Sequence, residues 1–317
     1  KSNAATGTAN SLSTVVYFGG GRVQYPFSRY INVCAAMCSD DIDFVGFINE
    51  NQDRPDRGGY AWSDEYNEIK NWEGYSFAAE AWKVAYNSVG YLNMVLKDLS
   101  NVPDYDKTEY ERIAGEARVI RAYYLLRINQ LFAPYDNNDF GIPINFDPED
   151  ISGHARLKQT EVYKILLGEL DDVLNYETEP KVSWNIFYNK KVICAILAQA
   201  YQFKAGSCAA EEDDWSNAEY YAHEARDGKR VENTVEEQKE LNYVPESSVV
   251  EKPHPFALLR IAHPGDGYNG YSPWGTTTLP QQKPNDELYR MYDANDIRLQ
   301  VFFKMVSGFP YYVKLQS

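Results

Sequence analysis

The chain has no apolar stretch long enough to cross a bilayer as a helix, and no signal peptide at its start. Histidine is scarce: the four are scattered, which leaves little support for a His-based general base or a His-rich metal site. Cysteine is equally sparse, at positions 34, 38, 194 and 208. Cys34 and Cys38 would share a helix face. With no Cys-x-x-Cys pair and no Cys/His cluster, however, zinc binding finds no support. The four read as small, mostly buried thiols, and such thiols do not fix a compartment. Gly-x-Ser-x-Gly, His-Glu-x-x-His and the P-loop are all missing, which removes the commonest signatures of nucleophile-elbow hydrolases, zinc proteases and nucleotide hydrolases. Basic residues number 31 against 46 acidic ones, a net charge of −15. Such a surface repels phosphate and argues against nucleic acid and against docking on anionic lipid. Asp40, Asp41 and Asp43 lack the glycine and distal glutamate of an EF-hand loop, so they read as a solvated loop or helix-end cluster. Nothing in the sequence asks for a cofactor.

What the chain has in excess is aromatic surface. There are 26 Tyr, 14 Phe and 6 Trp, and many of them lie at positions where helical period alone would bury them. The period is clearest in the middle. Ala78, Trp82, Ala85, Val89, Leu92, Leu96 and Leu99 step by threes and fours along one long helix. Asn101-Val102-Pro103-Asp104 interrupts it. Tyr110, Ile113, Ala117, Ile120, Tyr124, Ile128 and Leu131 repeat the seam in a second long helix, and the short connection makes the two antiparallel neighbours. Thr160 is placed to cap a third helix with the seam Val162, Leu166, Leu170 and Val173.

A fourth helix, from Tyr188 to Ala205, turns Val192, Ile196, Ala200 and Phe203 inward. A fifth starts near Asp213-Asp214, where carboxylates favour a helix N-terminus, and carries Trp215, Ala218, Tyr221, Ala222 and Ala225. This last pair has the small-and-aromatic spacing of a tetratricopeptide-like hairpin.

Three regions result. Residues 1–77 are an arm, a short helix over Tyr30–Met37 and an aromatic loop with helical turns around Asp64–Lys70. Residues 78–230 are a helical-repeat scaffold, and residues 231–317 are loop-rich with short strands. In the last region Phe256–Ile261 reads as a strand, Gly265–Pro284 as a loop and Asp286–Tyr292 as a short helix. Phe302–Val306 and Tyr311–Leu315 read as a hairpin about Ser307-Gly308.

Several segments follow one another in a fixed order. They are the helix from Trp82 to Asn93, then Gly115-Glu116-Ala117-Arg118-Val119-Ile120-Arg121-Ala122-Tyr123-Tyr124 leading to Leu131-Phe132 and Gly141-Ile142-Pro143-Ile144, then Thr160-Glu161-Val162-Tyr163. They continue through Lys190–Tyr201 to Asp286-Glu287-Leu288, Tyr292, Asp293, Asp296 and Arg298. In that order they resemble the SusD/RagB family, over roughly residues 78 to 315. The resemblance implies a mainly α fold of tetratricopeptide-like hairpins in a right-handed superhelix, with long loops and a few short β pieces. It also implies a non-catalytic protein of the Gram-negative cell surface that binds oligosaccharide or polysaccharide. Its expected partner is a SusC-like TonB-dependent outer-membrane transporter, over which it would sit as a lid. The family's lipid-anchoring N-terminal cysteine and its closing C-terminal helices lie outside this sequence, which opens at Lys1 and reads as a processed or trimmed chain.

A sugar platform needs aromatic planes on loops, flanked by side chains that bond hydroxyl groups. Two segments offer them. The first has Tyr60, Trp62, Asn71 and Trp72; the second has Tyr268, Asn269, Tyr271 and Trp274, with glycines that let the rings stand clear of the backbone. The second is favoured, since its place before the Asp286 helix resembles the family region that holds a binding aromatic. Trp82 reads as core, and Trp184 and Trp215 as structural. Two other functions share these features. An α-helical toroid glycosidase would need two carboxylates astride the scissile bond, and with 46 acids such pairs are too easily found to discriminate. A peptide-binding helical-repeat adaptor would leave the loop aromatics without a task.

Overall fold

The break in period after Leu99 separates two long helices. The computed structural model describes residues 42–44, 76–101, 106–134, 139–176, 188–228, 234–236, 275–276, 279–280, 282–306 and 308–312. In it α1 spans Ser76–Ser100 and α2 spans Lys107–Phe132. Side chains finish both ends of the break. Ser100 Oγ and Asn101 Nδ2 donate to the Lys97 carbonyl at 2.6 and 3.0 Å, and Asp106 caps α2 by accepting the Glu109 N–H at 3.0 Å. The helices run antiparallel: Trp82 meets the ring of Phe132, 5.2 Å between centroids, and Asn93 meets Arg121.

The seam expected on α2 is buried at Ile113, Ala117, Ile120, Tyr124 and Ile128. So are Ala114, Val119, Ala122, Leu125 and Leu126, which lie on other faces. A single stripe understates this helix because α3 (Gln159–Val173) and α4 (Lys190–Ala205) also pack on it. The α3 seam of Val162, Leu166, Leu170 and Val173 is fully buried.

The start of α3 differs from expectation. Lys158 is the cap residue, its N–H bonded to the Glu161 carboxylate at 3.1 Å, and Thr160 lies exposed inside the first turn. The cause is a short antiparallel ribbon that delivers the chain into the helix two residues early. Gly141 N–H bonds Leu157 O at 2.7 Å, Leu157 N–H bonds Ile142 O at 3.2 Å and Gln159 N–H bonds Asp139 O at 2.9 Å. Gly141 is required there by close approach. A Cβ would stand 2.7 Å from Val162 Cγ2 and 3.1 Å from Leu157 O. Gly141→Ala is therefore expected to cost about 1–3 kcal/mol, read as a lowered urea midpoint with an unchanged slope.

Helix α4 is capped by Asn189, which accepts the Val192 N–H at 3.1 Å, and it pairs with α5 (Asp214–Arg226) as an antiparallel hairpin. Lys204–Asp214, Tyr201–Tyr221 and Lys191–Asp227 mark successive rungs. Asp227 and Gly228 end α5 in the left-handed region, at φ 51° and 70°. Trp215, expected to be structural, is instead 61% exposed, and Ala222 is also exposed. The buried face of α5 is set by Asp214, Ala218 and Ala225, and one residue's rotation of about 100° carries Trp215 off it.

The described residues within Trp82–Arg230 belong to one compact unit, and those within Phe27–Ala81 and Ala262–Ser317 to a second. In the second unit β1 (Ile42–Phe44) pairs antiparallel with β4 (Gln282–Pro284), and β2 (Gly275–Thr276) with β3 (Leu279–Pro280). The stretch 265–284 thus contains strands where a loop was expected, and Asp43 lies opposite Lys283 in a strand and not in a loop or helix-end cluster. Pairings of two or three residues are too short to show a period of two. Helices α6 (Asp286–Met291) and α7 (Ile297–Val301) precede the hairpin of β5 (Phe303–Val306) with β6 (Phe309–Tyr312). Gly308, at φ 86°, makes the turn tight enough to start β6 at Phe309, two residues before the expected Tyr311. Tyr289 and Tyr292 set their rings edge-on against Phe303. The expected helix over Tyr30–Met37, the turns at Asp64–Lys70 and the strand at Phe256–Ile261 lie outside the described residues.

Candidate functional site

Polar side chains occupy positions that an apolar seam would be expected to fill. Asn93 of α1, Arg118 and Arg121 of α2, and Glu169 of α3 form one connected group. Arg121 donates to Asn93 Oδ1 at 2.7 Å and to Glu169 Oε2. Arg118 donates to Glu169 Oε1 at 2.8 Å and to Asp172 Oδ2 at 2.7 Å. Arg121 is buried, and its guanidinium carbon lies 3.6 Å from the centre of the Phe146 ring.

This group grips the segment that follows the ribbon. Asn93 Nδ2 donates to Asn145 O at 2.9 Å, and Tyr86 OH donates to Pro143 O at 2.8 Å. Burial pushes the Tyr86 hydroxyl pKa upward, with Arg156 opposing. Beyond Phe146 the loop holds its own shape. Asn145 Oδ1 accepts from Asp147 N at 2.8 Å and its amide donates to Asp150 O at 2.8 Å. Asp147 and Asp150 each accept the N–H two residues on, at 2.9 Å. Lys97 reaches Glu149 at 2.5 Å, and His154 reaches Asp150 at 3.1 Å. The Ser152 side chain and N–H hold the Asp150 carboxyl below its usual range. The result is a firm loop whose tip presents Ile151, 96% exposed.

The carboxylates of the group are committed to arginines, so what it supplies is position: three helices and a loop held in register. Spacing alone did not single out these residues. The available signal was a pair of arginines, Arg118 and Arg121, three apart inside an otherwise buried helix.

A second constellation joins three consecutive helices. Tyr221 of α5 donates to Asp171 of α3 at 3.0 Å, and its ring lies parallel to Tyr201 of α4, 5.7 Å between centroids and 10° between planes. Burial raises the pKa of all three groups. Tyr220, outside this stack, is largely exposed. Among the described residues no group of three or more His, Cys, Asp or Glu side chains could hold a metal ion, and no helix is long and apolar enough to cross a membrane.

Of the residues expected to bind sugar, Tyr60, Trp62, Asn71, Trp72, Tyr268, Asn269, Tyr271 and Trp274 all lie outside the described residues, as does Trp184. Trp82 is half-buried between Tyr86 and Phe132, the core role expected of it.

The hairpins α1–α2 and α4–α5, with α3 laid on α2, make the chain a mainly α protein of tetratricopeptide-like type. Residues 47–201 match a family described as SusD-like, starch-binding and associating with the outer membrane. Over that segment, just under half of its length, the chain is similar to the SusD/RagB family. Among solved structures it is similar to a SusD superfamily protein from Bacteroides thetaiotaomicron VPI-5482, at 15% identity and a TM-score of 0.68, covering 99% of this chain and 69% of that one. It is also similar to a SusD-like carbohydrate binding protein from Bacteroides vulgatus ATCC 8482, at 17% identity and 0.53, covering 76% and 48%. A third is the surface glycan-binding protein A of Bacteroides uniformis, at 16% identity and 0.51, covering 74% and 54%. These identities bear on fold alone. The chain spans about half the length of the second and third of these proteins. No functionally curated protein matches the sequence.

Proposed function

We propose that this chain is a non-catalytic glycan-binding protein of the outer-membrane surface that passes oligosaccharide to a SusC-like TonB-dependent transporter. The observation that carries the reading is the match of residues 47–201 to a starch-binding family associated with the outer membrane. The helical hairpins and the firmly held loop at residues 143–154 supply a rigid frame of the kind that binding loops need. Attachment would be through a lipidated cysteine upstream of Lys1. Sugar would stack on Trp274, Tyr271 and Tyr268, with Asn269 on hydroxyls, and secondarily on Trp72, Trp62 and Tyr60 beside Asn71.

A glycan array combined with a reducing-end assay tests this. Binding without new reducing ends supports it, new ends would make the chain a glycosidase, and no glycan binding would favour a peptide adaptor. Within that assay Trp274→Ala is expected to weaken the best ligand about 10- to 100-fold, ~1.4–2.7 kcal/mol, and to abolish retention on an affinity gel. The melting temperature should not change; a variant that melts early would place Trp274 in the core instead.

A further inference from the structure

Among the described residues, Asp227 at the end of α5 is the one residue other than glycine in the left-handed region, at φ 51° and ψ 49°. Gly228 follows it, and both are exposed. Aspartate before glycine is the pairing in which a backbone nitrogen most easily reaches the carboxyl of the preceding residue, because glycine brings no Cβ to obstruct it and turns freely. Here the fold opposes that approach. With ψ at 49° the Gly228 nitrogen stands on the far side of the Asp227 Cα–C bond from Cβ, turned away from the carboxyl. Two contacts hold the backbone in that pose. The Asp227 N–H donates to His223 O at 3.2 Å, which closes the helix. The Asp227 Oδ2 receives the Lys191 ammonium at 2.6 Å, from the first turn of α4.

We propose that Asp227 is a modification site, where the chain rearranges its own backbone through a cyclic imide, and that the α5 cap and Lys191 hold the reaction back. The Gly228 nitrogen bonds to Asp227 Cγ. One carboxyl oxygen leaves as water, taking the amide proton and the proton of the carboxyl group. Water then opens the imide at either carbonyl. One opening restores aspartate; the other routes the backbone through Cβ and Cγ as isoaspartate. Mass is unchanged overall, and nothing is oxidised or reduced. The first step needs the cap to open, so that ψ can swing the nitrogen round to the carboxyl. Lys191 opposes that step by gripping a carboxyl oxygen. The product backbone is one methylene longer and carries its carboxylate on Cα, away from Lys191. It therefore loses the last rung of the α4–α5 hairpin.

Ageing the full 317-residue chain at neutral pH, with and without urea, followed by peptide mapping for isoaspartate, tests this. Isoaspartate is expected at 227 in both conditions, accumulating about tenfold more slowly in the native chain. Lys191→Met should speed the native reaction about two- to fivefold, the worth of an exposed ion pair, and leave the rate in urea unchanged. The Asp266-Gly267 pair serves as a reference in the same digest, and Lys191→Met should not alter its rate. No isoaspartate at 227 even in urea overturns the site. Equal rates with and without urea, or no acceleration in Lys191→Met, overturns the restraint. If the Met variant does not fold, the wild-type ratio with and without urea decides alone.

Discussion

Glu169→Ala is expected to lower the unfolding free energy by about 3–5 kcal/mol, among the largest effects of any single truncation in the helical unit. The reason is what it leaves behind. Glu169 is the shared anion of Arg118 and Arg121, and Arg121 is buried beneath Phe146 with one further partner, Asn93. Removing the carboxylate strands a guanidinium charge where water cannot reach it freely. Arg118 keeps Asp172 and loses less. The damage should spread to the loop, because Asn93 holds Asn145 and Arg121 carries Phe146. Urea unfolding should show the lower midpoint, and limited proteolysis should open the chain between residues 146 and 156. The double variant Arg121→Met, Glu169→Leu should recover much of the loss, since a buried ion pair replaced by apolar side chains of similar volume is often neutral. A Glu169→Ala cost below about 1 kcal/mol would mean that water reaches this group and the pair counts as a surface one.

The scaffold was legible because its helices obey one rule over long spans. Most of the seam residues of α1 and α2 and all four named for α3 were readable, since steps of three and four sustained over several turns are the mark of a helix with one buried face. The burial of α2 on its remaining faces was not readable. That depends on α3 and α4 arriving from far along the chain, and the charges that would seem to forbid it, on Arg112, Arg118 and Arg121, are neutralised by Glu109, Glu169 and Asp172. Of these acids only Glu109 is marked as a neighbour by its spacing. The α3 start was misplaced for a related reason. A local cap signal at Thr160 lost to the ribbon at Asp139–Ile142, a tertiary feature that decides where the chain enters the helix.

Trp215 shows the limit of composition as a guide. A tryptophan near a helix start reads as structural, yet its exposure follows from about 100° of rotation relative to Asp214. The short strands of the second unit carry too few residues for any period to register, and their pairing of Ile42–Phe44 with Gln282–Pro284 spans most of the chain. For the glycan site, the aromatic loops were chosen by residue chemistry, and their aim is a matter of side-chain angle that no spacing rule encodes. The loop at 143–154 was readable only as a stretch following Gly141-Ile142-Pro143-Ile144. Its firmness comes from Asn145, Asp147 and Asp150, whose side chains each close a turn two residues ahead.

Lys204→Met carries the second large expectation, a loss of about 3–5 kcal/mol confined to the α4–α5 hairpin. Lys204 is 4% exposed and Asp214 1%. The ammonium donates to both oxygens of Asp214, at 2.7 and 2.9 Å, and to Glu211 at 2.7 Å. The Asp214 carboxylate has one other donor in this group, the Glu211 N–H at 2.7 Å. Methionine preserves the aliphatic stem of lysine, so the variant isolates the charge and leaves packing nearly intact. What remains is a buried carboxylate at the first residue of α5 with no cation.

That state has a signature beyond its cost. Removing the stranded charge relieves it, so the double variant Lys204→Met, Asp214→Asn should recover much of the loss. Glu211→Ala should change stability little, since that side chain is exposed and leaves the Lys204–Asp214 pair whole. Urea denaturation of the wild type and the three variants separates the cases. A double variant that recovers nothing would show that the lysine stem, and not its charge, holds the hairpin together.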